Sequence, residues 1–322
     1  MTLSLIIPVW NDLDGMRRLL TQTVTMQVFQ QIIISDDASD PPVTPHTIGL
    51  PHLADDSRLT WLRSDAQLGA GHARNLALDH VTGDHLIFFD SDDMFLPEFA
   101  HLVTDLTGLE FDFCIFRHAD SRMVAKGSQS PLAPDDGEWT KAGAMTETPT
   151  LLPLKGATRL CRISAYPWNK LYRTAFVRDA GLRCTEIPVH NDLELHWVSF
   201  LKADRILTSK RVCCEHFVET GGSRLTNRTS SDRFQVFQAL ESVLTALDQS
   251  PRRLDYLEPF AEFFSRLFPW INDLLEPELK GEFATLVRRF LLARLSVPMF
   301  SLIVMRNPAV GARLNRALSV TA

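Results

Sequence analysis

The most informative stretch of this sequence runs Leu86-Ile87-Phe88-Phe89-Asp90-Ser91-Asp92-Asp93. Its four apolar residues predict a short buried strand, and three carboxylates follow that strand without a spacer. Carboxylates this close together repel one another unless a cation offsets their charge. Hard oxygen ligands in this arrangement suit Mg²⁺ or Mn²⁺ that is bound jointly with phosphates. The alternative is a polar turn whose aspartates cap a helix that begins near Pro97.

Other apolar runs precede this stretch and alternate with helical segments. They span residues 3–9, 31–35 and 59–63, and a polar-faced segment covers residues 12–27. Such alternation predicts an α/β fold with a mostly parallel sheet flanked by helices. In open sheets of this kind, ligands gather at the carboxyl ends of the strands. The polar residues that directly follow the runs are therefore the candidates for a shared site, and they are Trp10-Asn11-Asp12, Asp36-Asp37 and the aspartates after Phe89.

Two of the intervening segments allow both a functional and a structural interpretation. The aspartates of residues 36–40 either form a turn with Asx-type hydrogen bonds or offer a carboxylate to a nucleobase edge or ribose hydroxyls. Residues 67–75 place two glycines before a helix that contains Arg74. That pattern favours close backbone approach and an anion such as a diphosphate at the helix N-terminus. Alternatively, Arg74 extends to solvent or pairs with a surface acid.

The bulk composition narrows the class of protein. The chain has 322 residues, of which 45% are hydrophobic and 22% charged, which fits one large domain or a domain with an appended module. A net charge of −6 gives no global reason to expect nucleic acid as a partner. The N-terminal residues lack a basic leader, and no apolar run reaches 18 residues, so a cytoplasmic protein is expected. The five scattered cysteines are expected to be reduced.

The second half of the chain divides into three parts by pattern. Residues 121–160 are rich in Ser, Gly, Pro and Lys and predict a long loop, either a flap over a substrate or a surface excursion. From Ser231 onward, helical spacing predicts a C-terminal helical module. Its aromatic stretch, residues 260–271, and the nearby Arg288, Arg289 and Arg294 suit either contact with an anionic membrane surface or packing against the rest of the chain.

Four motifs in order resemble the family 2 glycosyltransferases of the GT-A fold. They are Ile6-Ile7-Pro8-Val9-Trp10-Asn11, Ser35-Asp36-Asp37-Ala38-Ser39, Gly69 with Ala73-Arg74-Asn75, and Phe89-Asp90-Ser91-Asp92-Asp93. Each motif alone is unspecific, but four in order with fitting gaps are specific. A fainter resemblance continues through residues 167–172, residues 190–195, Phe217 and Gly222-Ser223. The resemblance implies a Rossmann-like GT-A catalytic domain over residues 1–226, followed by the helical module over residues 227–322.

The resemblance also implies an activity and a set of roles. It implies a metal-dependent, inverting transfer of a sugar from a nucleoside-diphosphate sugar, by family habit a UDP-sugar, to a saccharide or lipid-linked acceptor. The setting would be synthesis of cell-surface polysaccharide or lipid-linked glycan, in the cytoplasm or at the inner face of the membrane. The residues implied are Asp192 as general base; Pro8, Trp10, Asn11, Asp37, Arg74 and Asp90 for the nucleotide; Asp90 and Asp92 for Mn²⁺ or Mg²⁺; and Lys170, Ser223 and Arg224 for substrate or phosphate contacts.

Two departures from the family pattern leave alternatives open. Asn191 stands where relatives have a glutamate before the base, and Val218 stands where they often have an arginine. Without the resemblance, Asp192 is a helix-capping acid, and His216 is either an additional metal ligand or a satisfied buried histidine. Two rival functions are a non-catalytic nucleotide- or sugar-binding protein on a decayed transferase scaffold and an Asp-x-Asp phosphohydrolase. The phosphohydrolase motif normally lies near the start of a chain, whereas here it begins at residue 90.

Overall fold

The computed structural model describes residues 1–218 and 228–319. Its described strands form one sheet and are, in chain order, β1 (Leu3–Val9), β2 (Gln31–Asp36), β3 (Leu59–Arg63), β4 (His85–Phe88), β5 (Met94–Phe95), β6 (Phe113–Asp120), β7 (Thr150–Leu151), β8 (Lys170–Arg173) and β9 (Ile206–His216). The described helices are α1 (Leu13–Thr23), α2 (Ala70–Leu78), α3 (Glu98–Leu106), α4 (Ser121–Val124), α5 (Ala133–Ala142), α6 (Leu154–Leu160), α7 (Thr174–Asp179), α8 (Leu193–Lys202), α9 (Val236–Gln249), α10 (Arg253–Leu274), α11 (Lys280–Arg294), α12 (Val297–Arg306) and α13 (Pro308–Ser319).

The sheet is mostly parallel, as the alternation of runs predicts. Its order is β3-β2-β1-β4-β8-β6-β9-β5, with β7 paired to β9. The neighbours β3, β2, β1 and β4 are parallel, and β6 is parallel to β9. The short β8 runs antiparallel to both of its neighbours, so it joins the two parallel groups. The carboxyl ends of β1, β2 and β4 therefore meet at one edge of the sheet.

Both faces of the sheet are covered by other parts of the chain. This explains why the sequences of its strands are continuous apolar runs. In β1, Leu5 and Ile7 belong to one buried apolar cluster, whereas Ile6 between them belongs to the other. Successive strand residues point to opposite faces, so the two clusters lie on opposite sides of the sheet. All seven residues of β1 are buried. The predicted α/β fold with a C-terminal helical module is confirmed.

The C-terminal helices pack against the sheet domain through their aromatic side chains. Phe260 and Phe264 are buried, and the rings of Trp197 and Phe260 are 4.8 Å apart. Arg162 adds ion pairs to Glu258, at 2.9 Å, and to Glu262. The phenylalanines of residues 260–271 therefore pack mainly against the rest of the chain, whereas Trp270 in the same stretch is 50% exposed. The predicted boundary at residues 226 and 227 lies at the end of the segment that the structure does not describe.

The prediction of a long loop over residues 121–160 is wrong. This segment contains α4, α5, β7 and α6. Pro134 lies in the first turn of α5, where its fixed φ is compatible with a helix, and Gly143 ends that helix with φ of 70°. Proline and glycine thus mark the two ends of a helix here, and Trp139 within it is fully buried.

None of the described helices combines the length and apolar composition needed to cross a bilayer.

We expect Phe260→Ala to lower the free energy of unfolding by about 3–5 kcal/mol, because it removes a buried ring from the contact between α10 and α8. Urea unfolding followed by circular dichroism measures the change. We further expect one cooperative transition, since a single apolar cluster contains residues of both parts. The matched control is Leu254→Ala on the same helix, where the side chain is 58% exposed and the effect should stay within about 0.5 kcal/mol. Two separate transitions would contradict a shared core.

Candidate active site

A cleft of about 450 Å³ opens at the carboxyl ends of β1, β2 and β4. Eight of the predicted site residues line it, namely Pro8, Trp10, Asn11, Asp37, Arg74, Asp90, Asp92 and Asp192. They come from five separate segments of the chain, which the fold brings together. The predicted contacts Ser223 and Arg224 lie outside the described residues.

The two aspartates after β2 have different roles. The carboxylate of Asp36 accepts hydrogen bonds from the backbone of Ser39, at 2.9 Å, and Val43, at 3.1 Å, and forms an ion pair with Arg63. Asp36 is thus the turn residue of the structural interpretation. Asp37 faces the cleft, and its two oxygens accept from the backbone N–H groups of Leu68 and Gly69 at 2.9 and 2.7 Å. Asp37 therefore joins the end of β2 to the start of α2.

The turn after β1 is held in an unusual conformation. Asn11 has φ of 51°, in the left-handed region that asparagine tolerates better than most residues. Its N–H donates to Ser39 Oγ at 2.8 Å, and its side-chain oxygen accepts from the N–H of Asp40 at 2.8 Å. These bonds fix the backbone next to Trp10, which lines the cleft.

The glycines at the start of α2 allow close packing against protein. Gly69 has φ of 95°, which disfavours any residue with a side chain. A Cβ at Gly71 would lie 2.4 Å from the carbonyl oxygen of Thr185. One turn further along α2, Asn75 exchanges two hydrogen bonds with the backbone of Cys184, at 2.8 and 2.9 Å. These contacts bring α2 close to the chain segment that leads to Asp192, whereas the predicted approach of a diphosphate to this turn stays a prediction.

Arg74 links the acidic cluster to the segment that carries the predicted base. Its guanidinium donates to Asp90 Oδ1 at 2.6 Å and to Asn191 Oδ1 at 2.7 Å, and the residue is only 4% exposed. Burial opposes its charge, but Asp90 raises the pKa of Arg74 above its ordinary value. The amide of Asn191, which replaces the family's glutamate, supplies an acceptor oxygen without adding a second buried negative charge.

The three clustered aspartates separate into a buried one and two that face the cleft. Oxygens of Asp90, Asp92 and Asp93 lie within 4.8 Å of one another. Asp93 is fully buried and accepts from His216 Nδ1 at 3.0 Å and from the N–H of Phe217 at 2.9 Å. Burial raises the pKa of Asp93, and Asp93 raises the pKa of His216 against the effect of burial. Asp90 and Asp92 are partly exposed in the cleft.

The capping alternative is wrong for the clustered aspartates, and for Asp192 it is right only about the position of the residue. The helix after the cluster, α3, has Pro97 at its N-cap position and no side-chain capping bond, so none of the clustered aspartates caps it. Asp192 occupies the N-cap position of α8, but its side chain makes no capping hydrogen bond either. Each acid instead belongs to the cleft or to the wall behind it.

Asp192 has a strongly altered acidity. Burial raises the pKa of its carboxyl to about 6, and the negative charge of Asp90 adds to that effect, whereas Arg74 and Lys170 oppose it. A carboxylate with a pKa near neutrality, at the wall of a cleft, can accept a proton at physiological pH and release it again.

Lys170 is the one described residue of the predicted set that does not line the cleft, and a direct substrate contact does not fit its position. It is fully buried, and its Nζ donates to the carbonyl of Tyr166 at 2.6 Å and to Asn169 Oδ1 at 2.7 Å. Burial lowers the pKa of Lys170 to about 7. Its charge acts on Asp192 from behind the cleft wall.

Sequence reasoning missed an aromatic wall of the cleft. The rings of Tyr166 and Trp168 stack at 4.3 Å, and the ring of His216 is 5.1 Å from Trp168. All three line the cleft. The sequence did contain a hint of this wall, because Trp168 lies within residues 167–172, a segment of the faint resemblance. The sequence of that segment could not show which of its side chains face the cleft.

A second missed feature connects the base segment to the C-terminal helices. His190 lines the cleft with φ of 66°, and its Nε2 accepts from Arg233 Nη1 at 3.3 Å. The guanidinium of Arg233, which is fully buried, lies 5.1 Å from the ring centre of Trp270, and that ring is 5.8 Å from His190. No sequence motif marks Arg233, so only the folded chain identifies this contact.

Comparison with known proteins finds a match to the predicted family over part of the chain. Residues 4–140 match the family Glycosyl transferase family 2. Three curated relatives are 25–31% identical, and two of them are named as glycosyltransferases. The third is the succinoglycan biosynthesis protein ExoW of Rhizobium meliloti, 29% identical over 152 residues, which are 40% of this chain and 46% of that protein. The chain spans 31–52% of the length of these relatives.

Solved structures confirm the GT-A fold. TarS of S. aureus, residues 1–349 in complex with UDP-GlcNAc, has a TM-score of 0.76 at 17% identity, with 99% of this chain and 88% of that chain covered. The mannosyltransferase PcManGT of Pyrobaculum calidifontis, in complex with GDP-Man and Mn²⁺, has a TM-score of 0.53 at 16% identity, with 98% and 85% covered. The TarS match extends through the C-terminal helices, beyond the residues that the family match covers.

We expect Arg233→Met to loosen the segment of residues 186–192 while preserving most of the buried volume. Loss of the bond to His190 should speed amide hydrogen exchange in this segment about tenfold. Exchange measured by mass spectrometry tests this. The control is Arg228→Met, which removes an ion pair to Asp232 at 2.6 Å on the same turn but no contact with His190. Equal exchange in both variants would mean that Arg233 does not hold this segment.

Proposed function

We propose that this chain, which carries a family 2 glycosyltransferase domain, transfers a sugar from a nucleoside-diphosphate sugar to an acceptor hydroxyl with inversion. The default donor is a UDP-sugar, and the acceptor is a saccharide, free or lipid-linked, in the synthesis of a cell-surface polysaccharide or a lipid-linked glycan. One observation carries the proposal. Asp192, with a pKa of about 6, shares a single cleft with Asp90 and Asp92, and one guanidinium ties both sides of that cleft together.

The donor is proposed to lie along the edge of the sheet. The nucleoside would rest against the turn after β1, at Pro8, Trp10 and Asn11, with Asp37 facing the base. Two oxygens of Asp37 already accept backbone hydrogens, yet a carboxylate has further lone pairs to offer. The diphosphate would then extend toward Asp90 and Asp92.

The donor set at this end fits a hard divalent cation. Asp90 and Asp92 offer carboxylate oxygens to the cleft, and Arg74 engages only one oxygen of Asp90. Asp93 is less suited, because His216 and the N–H of Phe217 already bind its carboxylate. A bound Mn²⁺ or Mg²⁺ would neutralise charge on the departing diphosphate. The buried guanidinium of Arg74 holds the carboxylate of Asp90 in place.

The proposed chemistry is one displacement. The acceptor oxygen attacks the anomeric carbon and forms the new glycosidic bond, while the bond from that carbon to the diphosphate breaks. Asp192 accepts the proton of the acceptor hydroxyl, and the nucleoside diphosphate leaves with the bonding electron pair. The aromatic wall of Tyr166 and Trp168 offers flat apolar surface beside this path.

The two rival functions fit the cleft less well. A phosphohydrolase would need a carboxylate of the cluster as nucleophile, but Asp90 is ion-paired to Arg74 and Asp93 is buried. Burial raises the pKa of Asp192 to about 6. A scaffold that no longer catalyses a reaction has no need for a carboxylate with a pKa near neutrality. The decayed scaffold is a separate outcome of the turnover experiment described below.

We expect one of UDP, GDP, TDP or CMP to bind in a Mn²⁺-dependent manner, measured by isothermal titration calorimetry. Asp92→Asn should weaken the metal-dependent affinity at least about tenfold, because it removes one anionic ligand. The control is Asp65→Asn, which removes an exposed carboxylate outside the cleft. If none of the four nucleotides binds in the presence or absence of metal, the proposed donor site is wrong.

We expect Asp192→Asn to lower kcat by roughly 10²–10⁴-fold while nucleotide binding stays intact. The base must be unprotonated to act. Because its pKa is raised to about 6, the activity of the wild type should fall as the pH drops through about 6, not through the ordinary carboxylate range. Donor turnover measured from pH 5 to 8 tests this. Unchanged turnover in the variant would assign the base elsewhere, and absent turnover in a wild type that binds nucleotide would favour the decayed scaffold.

A further inference from the structure

The last three helices carry an unusual charge distribution. From Phe283 to the end of the chain, the sequence contains six arginines and no Asp, Glu or Lys, although the whole chain has a net charge of −6. The arginines are Arg288, Arg289, Arg294, Arg306, Arg313 and Arg316. A concentration of one charge sign in an otherwise acidic chain points to a partner of the opposite sign.

The same helices carry the most exposed large apolar side chains of the described chain. Val297 is 80% exposed, Met305 is 79% exposed and Leu292 is 64% exposed. Every other large apolar side chain of the described residues is less exposed than these three. No helix of the described chain covers them. The phenylalanines of α10 are mostly buried, so the most exposed apolar side chains lie on different residues from those that the sequence pattern suggested.

On α11 the charged and apolar residues occupy the same face. In α11, Arg288, Arg289 and Leu292 are exposed, and Leu292 follows the two arginines by four and three residues, which places all three on one side of the helix. In α12, Val297 and Met305 are exposed at a spacing of eight residues, or about two turns. Helix α11 thus presents Leu292 beside two cationic groups, and α12 adds two exposed apolar side chains.

The three helices pack together, and the apolar residues on their inner side are already buried against the core. Buried apolar residues on each, Phe290, Ile303 and Val310, face the core, and α13 packs against both α11 and α12. Arg294 turns inward to Glu241 and Asp248, at 3.3 and 3.4 Å. By contrast, the described structure gives Arg288, Arg289 and Arg316 no acidic partner, so their charge remains available at the outer surface.

We propose that the outer faces of α11, α12 and α13 dock on an anionic lipid bilayer. Arginines would pair with phosphate groups of the lipids, and Leu292, Val297 and Met305 would enter the boundary between headgroups and acyl chains. A second copy of the chain is a poor occupant, because two arginine-rich faces repel each other. The proposal uses none of the cleft residues and stands independently of the proposed donor chemistry.

Vesicle co-sedimentation of the full chain tests the proposal. We expect binding to vesicles of phosphatidylcholine mixed with phosphatidylglycerol, little binding to phosphatidylcholine alone, and weaker binding at high salt. The double variant Arg288→Gln/Arg289→Gln should bind roughly fivefold more weakly for each arginine removed. The triple variant Leu292→Ser/Val297→Ser/Met305→Ser should also lose affinity, although its net charge is unchanged.

Matched controls separate this face from general surface effects. Lys126→Gln/Lys155→Gln removes the same charge from exposed positions elsewhere, and Leu109→Ser removes an exposed leucine outside the three helices. Thermal melting by circular dichroism confirms that the variants fold. No binding by the wild type to anionic vesicles, equal binding to neutral vesicles, or equal losses in the controls would each overturn the proposal. Self-association without lipid that the triple variant abolishes would also overturn it, because the face would then bind a second copy.

Discussion

The site depends on the buried guanidinium of Arg74. Its two hydrogen bonds, of 2.6 Å to Asp90 and 2.7 Å to Asn191, join a strand end in the N-terminal half of the chain to a segment about one hundred residues later. A buried cation needs partners on several sides, and it accepts little displacement once they are in place. The distance between the acidic cluster and Asp192 is thereby set by one rigid, planar group.

The segment that carries Asp192 is also held from two further directions. Gly71 lets α2 approach the carbonyl of Thr185, and Arg233 from the C-terminal half bonds to His190. Each anchor uses a different kind of contact: close backbone packing, an ion pair network and a hydrogen bond backed by a cation–π contact. The cleft wall is therefore a joint product of the sheet domain and the helical module, which gives the module a structural link to the site.

Much of the site could be predicted from sequence because a parallel sheet brings the carboxyl ends of its strands to one edge. Asp37, Asp90 and Trp10 follow apolar runs, and that alone placed them together. Lys170 shows where the reasoning fails, since a motif gives the position of a residue but not the side of a buried wall on which its side chain lies. Residues 121–160 show a second limit. Proline and glycine mark both loops and helix ends, and only the burial of Trp139 decides between them.

The position of β8 has a consequence for how this chain can be divided. It lies between β4 and β6 in the sheet, yet it comes from residues 170–173, some eighty residues after β4. The family match ends at residue 140, before β8 begins. A fragment cut at that boundary would present the inner edge of β4 as an unpaired row of backbone donors and acceptors, which invites aggregation. The family match thus ends short of a complete sheet, and expression of the part that forms the cleft requires the chain to continue past β9.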